Sequence, residues 1–168
     1  ATWVPATNTA YVVEHYLQKL YAADYELSYT DSLTGTTEAT ATAIPKTVTG
    51  FTYKADEVGS VVSGSIVADG SLVLKLYYSR NNYLVSFNEN GDGNSATEAI
   101  SVAYMGHVSE PATPTRTGYT FVRWTKEASG ETAWTFATEP VTQATTLYAQ
   151  WQANTYEVHF DLNYESAP

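Results

Sequence analysis

Apolar and polar residues alternate along most of the chain with a period of two, which is typical of β-strands. In Tyr83-Leu84-Val85-Ser86-Phe87, for example, the tyrosine, valine and phenylalanine fall on one face and the other two residues on the opposite face. Such runs are separated by Asn-Gly, Asp-Gly and Ser-Gly pairs, which tolerate the positive φ angles of tight turns. The pattern predicts strands at 11–18, 25–30, 36–43, 51–54, 61–67, 72–79, 83–88, 98–104, 119–126, 133–136 and 145–152.

The composition supports a mainly β protein and excludes some classes of binding partner. The 168 residues include 25 threonines and 14 tyrosines, which favour pleated, half-buried surfaces. The formal net charge is -10, so nucleic acid is not an expected partner, because phosphate binding requires basic patches. There is no cysteine, which excludes disulfides and thiolate chemistry. No apolar run approaches the roughly 20 residues that span a bilayer, so membrane insertion is not expected.

The chain contains an internal repeat. The pattern Tyr-x-Val-x-[His/Phe] occurs at Tyr11–His15, Tyr83–Phe87 and Tyr156–Phe160, starting at residues 11, 83 and 156. Between these strands, Thr49–Tyr53 matches Thr117–Phe121, and a proline precedes each of the two segments. Self-similarity at a fixed period indicates tandem modules of one architecture.

The repeat predicts the domain organisation. Two consecutive modules are expected, and the short linkers between them favour an elongated arrangement over a flexible string. The predicted divisions are 1–10 for the last strand or linker of a preceding repeat, 11–80 and 83–153 for the two modules, and 154–168 for the first strand of a following repeat.

The second module carries a specific series of motifs: a Tyr-x-Val-x-Phe strand, an Asn-Gly turn, a proline-rich segment and a closing strand. The residues are Tyr83, Val85, Phe87, Asn90-Gly91, Pro111, Pro114, Arg116, Gly118, Tyr119, Phe121, Trp124, Trp134, Phe136 and Thr146–Trp151. In these features residues 83–153 resemble the Listeria–Bacteroides repeat, the B repeat of internalin-type surface proteins. Arg123 stands where the family usually has glycine, and Asp92-Gly93 extends the turn.

The first module resembles a mucin-binding-protein (MucBP-type) repeat. The resemblance is carried by Tyr11–Tyr16, Gly50–Tyr53 and Leu72–Tyr78. Together the two resemblances imply β-grasp-like modules in series on an extracellular protein of a Gram-positive bacterium, cell-wall-anchored through other regions or secreted.

Catalytic signatures are missing from the sequence. There is no nucleophile elbow, zinc-protease helix or phosphate-binding loop. His15, His107 and His159 are far apart, and His15 aligns with a phenylalanine of the other repeats, which predicts packing rather than metal ligation. Asp56-Glu57 is interpreted as a solvated surface pair rather than an acid/base pair. We expect no enzyme activity, no cofactor and no metal.

Two further patterns have simpler interpretations. Asn88–Gly93 is similar to a calcium loop, but it begins with asparagine, and Ala99 occupies the twelfth position, where such loops have glutamate. A hairpin turn explains the segment. Lys54 and Lys75 lie near predicted strands and are candidates for Lys–Asn isopeptide bonds, although nothing marks a particular partner.

Exposed aromatic side chains are the candidates for ligand binding, because aromatic faces stack on sugar rings. The residues are Tyr77, Tyr78, Tyr16 and Tyr21. The function predicted first is a non-catalytic stalk or spacer of a bacterial surface protein or adhesin, with neighbouring repeats as partners and weak host-surface contacts. The alternatives are a dedicated module that binds mucin, glycan or a host receptor, and an accessory region of an extracellular enzyme.

Overall fold

The computed structural model describes residues 2–91 and 97–160. Within these residues the chain forms strands and no helix, which confirms the prediction of a mainly β protein. The Asp92-Gly93 part of the predicted turn lies outside the described residues. The strands are β1 Thr9–Gln18, β2 Tyr25–Gly35, β3 Thr40–Thr42, β4 Phe51–Lys54, β5 Ser63–Ser65, β6 Val73–Arg80, β7 Asn82–Asn88, β8 Ile100–Ala103, β9 Tyr119–Thr125 and β10 Thr145–Ala153.

The first sheet has the strand order β2-β1-β6-β4. Its two central strands are parallel, with Val12 opposite Val73 and Leu17 opposite Tyr78. The outer strands β2 and β4 run antiparallel to their neighbours. The first and last strands of the first repeat are therefore adjacent at the centre of the sheet, and the chain between them supplies both outer strands.

One face of this sheet carries the core of the first repeat. Alternate residues of β6, namely Leu74, Leu76 and Tyr78, are fully buried, as the period of two predicts. The two-stranded ribbon of β3 and β5 covers this face, and Ala41 and Ile66 are buried against it. A short ribbon thus supplies the second layer that a sheet needs in order to bury its apolar face.

The second sheet has the order β8-β7-β10-β9. β8 and β9 are its outer strands, and they pair antiparallel with β7 and β10, respectively. Counted within each repeat, both sheets have the same order: second strand, first strand, last strand, and then the strand that follows the Thr-Gly turn. The internal similarity of the sequence therefore corresponds to a repeated sheet topology.

The chain divides into two compact units. Unit 1 comprises Ala1–Val85, Ile100–Ser109 and Phe136–Thr145, and unit 2 comprises Ser86–Ala99, Glu110–Thr135 and Thr146–Pro168. The core of unit 2 includes buried aliphatic and aromatic side chains, among which Phe87 and Trp124 meet edge to face with ring centroids 5.0 Å apart. The buried residues in the described part of unit 2 are Phe87, Pro114, Trp124, Thr125, Leu147 and Ala149.

Four predicted strands are shorter than expected. The strand predicted at 61–67 is reduced to β5 at Ser63–Ser65, and the one predicted at 98–104 is reduced to β8 at Ile100–Ala103. The strand predicted at 36–43 is reduced to β3, because β2 continues to Gly35 and Glu38 adopts a φ of 69°, which ends strand geometry. The strand predicted at 133–136 is a single bridge between Ala133 and Thr125. Residues 156–160 pair with no strand among the described residues.

Candidate functional site

Three tyrosines cluster on the outer face of the first sheet, opposite the core. Tyr16 of β1 and Tyr77 of β6 are directly opposite in register, and their rings stack at 4.9 Å with an interplanar angle of 18°. Tyr25 of β2 meets Tyr77 at 5.0 Å in a nearly perpendicular arrangement. Tyr16, Tyr25 and Tyr77 are called the tyrosine cluster below. All three side chains are half-buried, largely by one another.

Two carboxylates accept hydrogen bonds from hydroxyl groups of this cluster. The Tyr16 hydroxyl donates to Glu14 Oε2 at 2.6 Å, and the Tyr25 hydroxyl donates to Glu57 Oε2 at 2.7 Å. The hydrogen bond to Glu14 is the main cause that raises the pKa of Tyr16 to about 12. Burial, followed by the hydrogen bond to Glu57, raises the pKa of Tyr25 to about 12. Both hydroxyls therefore stay protonated donors at neutral pH.

Tyr78 does not lie on this surface, so its prediction as a ligand contact is wrong. The alternation of β6 that points Tyr77 outward points Tyr78 into the core, where none of its surface is exposed. Its hydroxyl lies 2.9 Å from His15 Nδ1 and accepts a hydrogen bond from the backbone N–H of Lys46 at 3.0 Å. Tyr78 is a core residue whose hydroxyl group is hydrogen-bonded to both His15 and Lys46.

Tyr21 lies in the turn between β1 and β2 and is 72% exposed. Its backbone has a φ of 61°, in the left-handed region. Its hydroxyl accepts a hydrogen bond from the backbone N–H of His107 at 2.8 Å. Of the four tyrosines predicted as ligand contacts, the structure therefore brings together only Tyr16 and Tyr77.

His15 is the centre of a buried polar network in unit 1. None of its side chain is exposed, and its ring stacks on that of Tyr29 at 4.4 Å. Nε2 lies 3.2 Å from Asp31 Oδ2, and Nδ1 faces the hydroxyl of Tyr78. The other carboxylate oxygen of Asp31 accepts a hydrogen bond from Lys46 Nζ.

The hydrogen-bond partners determine which ring nitrogen carries the proton. An ionised carboxylate can only accept, so Nε2 of His15 must donate to Asp31. Nδ1 of the neutral ring is then an acceptor, and it receives the hydroxyl proton of Tyr78. Burial lowers the pKa of His15 below 6.5 and outweighs the opposing effect of Asp31. The hydrogen bond from Lys46 is the main cause that holds the pKa of Asp31 below 3.8.

The other candidates from the sequence form no reactive centre. His107 and His159 are exposed. Lys54 Nζ lies 3.8 Å from Asp56 Oδ1, and Lys75 Nζ lies 3.9 Å from Glu14 Oε2. Within residues 2–91 and 97–160, no group of three or more histidines or acidic residues is placed to hold a metal ion. At the predicted turn, the backbone N–H of Asn90 bonds Asn88 Oδ1 at 2.8 Å, as in an Asx turn.

Sequence reasoning missed Tyr25, Asp31 and Lys46. It interpreted Glu57 only as part of a solvated surface pair, whereas the structure shows Glu57 half-buried. Tyr25 and Glu57 complete the tyrosine cluster, and Asp31 and Lys46 complete the histidine network. Asp31 could have been recognised in the sequence, because it is a charged residue at a position of β2 that faces the core, opposite Val13. Glu57 lies in a loop, and no periodic pattern could place it.

Comparison with known proteins finds a family model that matches the second repeat. Residues 83–150 match the model of the Listeria-Bacteroides repeat domain. Two Evansella cellulosilytica proteins with provisional membrane-protein names, the second Gly-rich, are 38% identical over 92 residues and 34% identical over 93 residues, each 55% of this chain. Internalin H of Listeria monocytogenes is 38% identical over 66 residues, or 39% of this chain.

These matches cover a small part of each relative. The aligned segments are 14% and 10% of the two Evansella proteins and 12% of internalin H. The second repeat is therefore similar to the Listeria-Bacteroides repeat domain and to segments of much longer proteins. The resemblance of residues 11–80 to a MucBP-type repeat stays a prediction. None of the described residues belongs to a helix long and apolar enough to cross a membrane.

Proposed function

We propose that this chain is a non-catalytic repeat segment of a bacterial surface protein and that it acts as a load-bearing stalk or spacer. The family match of the second repeat and the similarity to internalin H support a place in a repetitive protein. The modules are assigned to residues 11–80 and 83–153. The protein is extracellular and attached to the cell wall through other regions, and its immediate partners are neighbouring repeats.

The observation that carries the proposal is the pairing of β1 with β6. The chain enters the first repeat at the start of β1 and leaves it at the end of β6, and these strands are parallel neighbours over Val12–Leu17 and Val73–Tyr78. A pull along the chain therefore acts at opposite ends of the strand pair. All the hydrogen bonds between the strands bear the load together in shear, which is the arrangement that resists force best.

The strand order of the second sheet supports the same role. Its first strand β7 and last strand β10 are again adjacent at the centre of the sheet. Both repeats thus join their entry and exit strands directly instead of through the outer strands. This adjacency suits a stalk under tension.

Pulling experiments with cysteine handles test the stalk function. The chain has no cysteine, so each introduced thiol is unique. Asn8→Cys with Asn82→Cys attaches the handles before β1 and after β6, which loads these strands in shear. We expect a high and well-defined unfolding force, since forced unfolding is governed by the unfolding rate of the loaded structure.

The matched control uses the same protein with a different attachment. Asn8→Cys with Ser71→Cys places both handles at the same end of the β1–β6 pair, so the hydrogen bonds break one after another. The expected unfolding force is several-fold lower than in the shear geometry. Equal forces in the two geometries would contradict the proposal.

A glycan-binding module is the second candidate function. The tyrosine cluster supports it, because aromatic side chains beside the carboxylates of Glu14 and Glu57 can contact both faces and hydroxyls of a sugar. The test is binding of the whole chain to mucin and to a glycan array. Saturable binding that Tyr16→Ala and Tyr77→Ala abolish, and that the exposed-residue control Tyr156→Ala keeps, would support this function. Absence of binding would contradict it.

A further inference from the structure

The first repeat closes through three residues that we call the first latch: Gly50, Thr52 and Asn81. The backbone N–H of Asn81 donates to the carbonyl oxygen of Gly50 at 2.9 Å. The hydroxyl of Thr52 donates to Asn81 Oδ1 at 2.7 Å. Gly50 has a φ of 78°, a conformation that L-residues with a Cβ rarely adopt. The latch joins the turn before β4 to the residue that follows β6.

The second repeat has an equivalent second latch, made of Gly118, Thr120 and Asn154. The backbone N–H of Asn154 donates to the carbonyl oxygen of Gly118 at 2.9 Å, and the hydroxyl of Thr120 donates to Asn154 Oδ1 at 2.7 Å. Gly118 has a φ of 79°. The two latches therefore agree in residue types, hydrogen bonds and backbone conformation, although their surroundings differ.

Tyr104 covers the first latch. Its backbone N–H donates to the carbonyl oxygen of Asn81 at 2.7 Å, and its own carbonyl oxygen accepts from Arg80 Nη1 at 3.0 Å. The ring packs directly on Gly50, where a Cβ would overlap it, and meets the Phe51 ring at 6.0 Å. Tyr104 follows β8, the strand that pairs with β7. All these residues belong to unit 1.

The second latch has no such cover among the described residues. No described atom lies within 4 Å of a Cβ built at Gly118. Tyr119, the counterpart of Phe51, is 38% exposed even though Arg116 Cζ lies 4.0 Å from the centroid of its ring. Asn154 is exposed, whereas Asn81 is half-buried. Gly118, Tyr119 and Asn154 are thus more open than Gly50, Phe51 and Asn81, whereas the two threonines are exposed in both latches.

We propose that the second latch is a docking surface for another Listeria-Bacteroides repeat, which covers Gly118 and Tyr119 with the tyrosine that follows its own second strand. The inference rests on the proposed repeat function and identifies the partner surface through which consecutive repeats are held. The occupant is a module of the same kind as residues 83–153, placed directly after Asn154.

The spacing of the sequence and the exposure of the next segment support this occupant. Tyr83 follows Asn81 by two residues, and Tyr156 follows Asn154 by two residues. Residues 156–160 repeat the apolar pattern of β7, yet Tyr156, Val158 and Phe160 are 74%, 71% and 86% exposed. Their β7 counterparts Val85 and Phe87 are 0% and 4% exposed. The segment therefore has the pattern of a central strand whose sheet partners a further repeat would supply.

Spin-label distance measurements test the docking. The protein consists of residues 1–155 followed by a second copy of residues 83–153. One labelled pair, Thr49→Cys with Met105→Cys, reports on the first latch. The other pair, Thr117→Cys with the added copy's Met105→Cys, reports on the second. Because Thr49 and Thr117 occupy equivalent positions, we expect the same mean distance and a similarly narrow distribution for both pairs.

Variants of the added copy show whether its tyrosine is responsible. Tyr104→Ala in that copy should broaden the distribution at the second latch and leave the first unchanged, whereas Tyr104→Phe, which keeps the ring and the backbone hydrogen bonds, should leave both narrow. A broad distribution at the second latch of the unmodified extended protein would overturn the proposal, and so would a narrow one that survives Tyr104→Ala. Neither result depends on the unfolding force, so the stalk function is judged separately.

Discussion

At the scale of single residues, His15 shows how one position differs between similar repeats. Phe87 occupies the corresponding place in β7, and both side chains are buried. In the first repeat the buried ring is polar, and its two nitrogens need partners that the phenylalanine does not need. Asp31 and Tyr78 supply them. Protonation of both ring nitrogens is disfavoured, because Nδ1 would then donate instead of accept, and the Tyr78 hydroxyl, which already accepts from the Lys46 N–H, would lose its own acceptor.

This network predicts a pH dependence of stability in unit 1. Burial lowers the pKa of His15 in the folded state below its ordinary value of 6.5, so the unfolded chain binds a proton more readily. Stability therefore falls as the pH decreases below about 6.5, with a slope of up to about 1.4 kcal/mol per pH unit. His15→Phe should remove this pH dependence of the free energy of unfolding between pH 6.5 and the folded-state pKa of His15. The variant can also change the stability at pH 8, but that change does not affect the slope.

The measurement is urea unfolding between pH 4.5 and 8, followed through NMR signals of unit 1. His107→Asn, which removes an exposed histidine of the same unit, is the control and should keep the wild-type slope. Asp31 acts at lower pH, because its folded-state pKa lies below 3.8, so its contribution is lost only as the pH falls through that region. The interpretation is wrong if His15→Phe retains the slope.

At the scale of elements, the two Thr-Gly turns allow a matched comparison. Gly50 and Gly118 both have φ angles near 80°, so alanine at either position costs about 1–2 kcal/mol of backbone strain. Only Gly50 also packs against a ring, and overpacking there adds about 1–3 kcal/mol. Gly50→Ala should therefore destabilise unit 1 by clearly more than Gly118→Ala destabilises unit 2.

Each unit can be monitored separately. Three of the four tryptophans lie in unit 2, and the fourth, Trp3, is 93% exposed, so the change in tryptophan fluorescence on unfolding follows mainly unit 2. Amide hydrogen exchange of β1 and β6 follows unit 1. The double variant Gly50→Ala with Tyr104→Ala isolates the ring contribution, since the extra cost of Gly50→Ala should disappear without the Tyr104 ring. Equal costs at Gly50 and Gly118 in the single variants would contradict the packing argument.

The strands themselves were largely predictable, because alternation is a local property of the sequence. The errors have local causes too. Polar residues around Glu38 continue the alternation through a turn whose positive φ the sequence does not reveal. Trp134 and Phe136 alternate like strand residues but are only half-buried in a loop segment. The same alternation, taken consistently, would have placed Tyr78 in the core, because it is adjacent to Tyr77 on one strand.

At the scale of the whole molecule, the repeat was predictable and the pairing of its strands was not. Sheet order depends on contacts between residues far apart in the chain, and a single sequence does not encode them in its periodicity. The aromatic residues illustrate this limit. Tyr119 and Trp124 are aromatic residues of the same strand, β9, yet Trp124 is buried and Tyr119 is exposed. Composition predicts that aromatic surface is available, whereas topology decides which part of it is covered.

The latch has a consequence for how such a protein changes over generations. Each repeat closes with its own glycine, threonine and asparagine, and the next begins two residues later at a similar tyrosine strand. Unequal recombination between the similar coding stretches would therefore insert or delete one complete module in frame. The new boundary would carry the same residues as the old ones. The length of the protein would thus change by whole modules, without compensating mutations at the point of crossover.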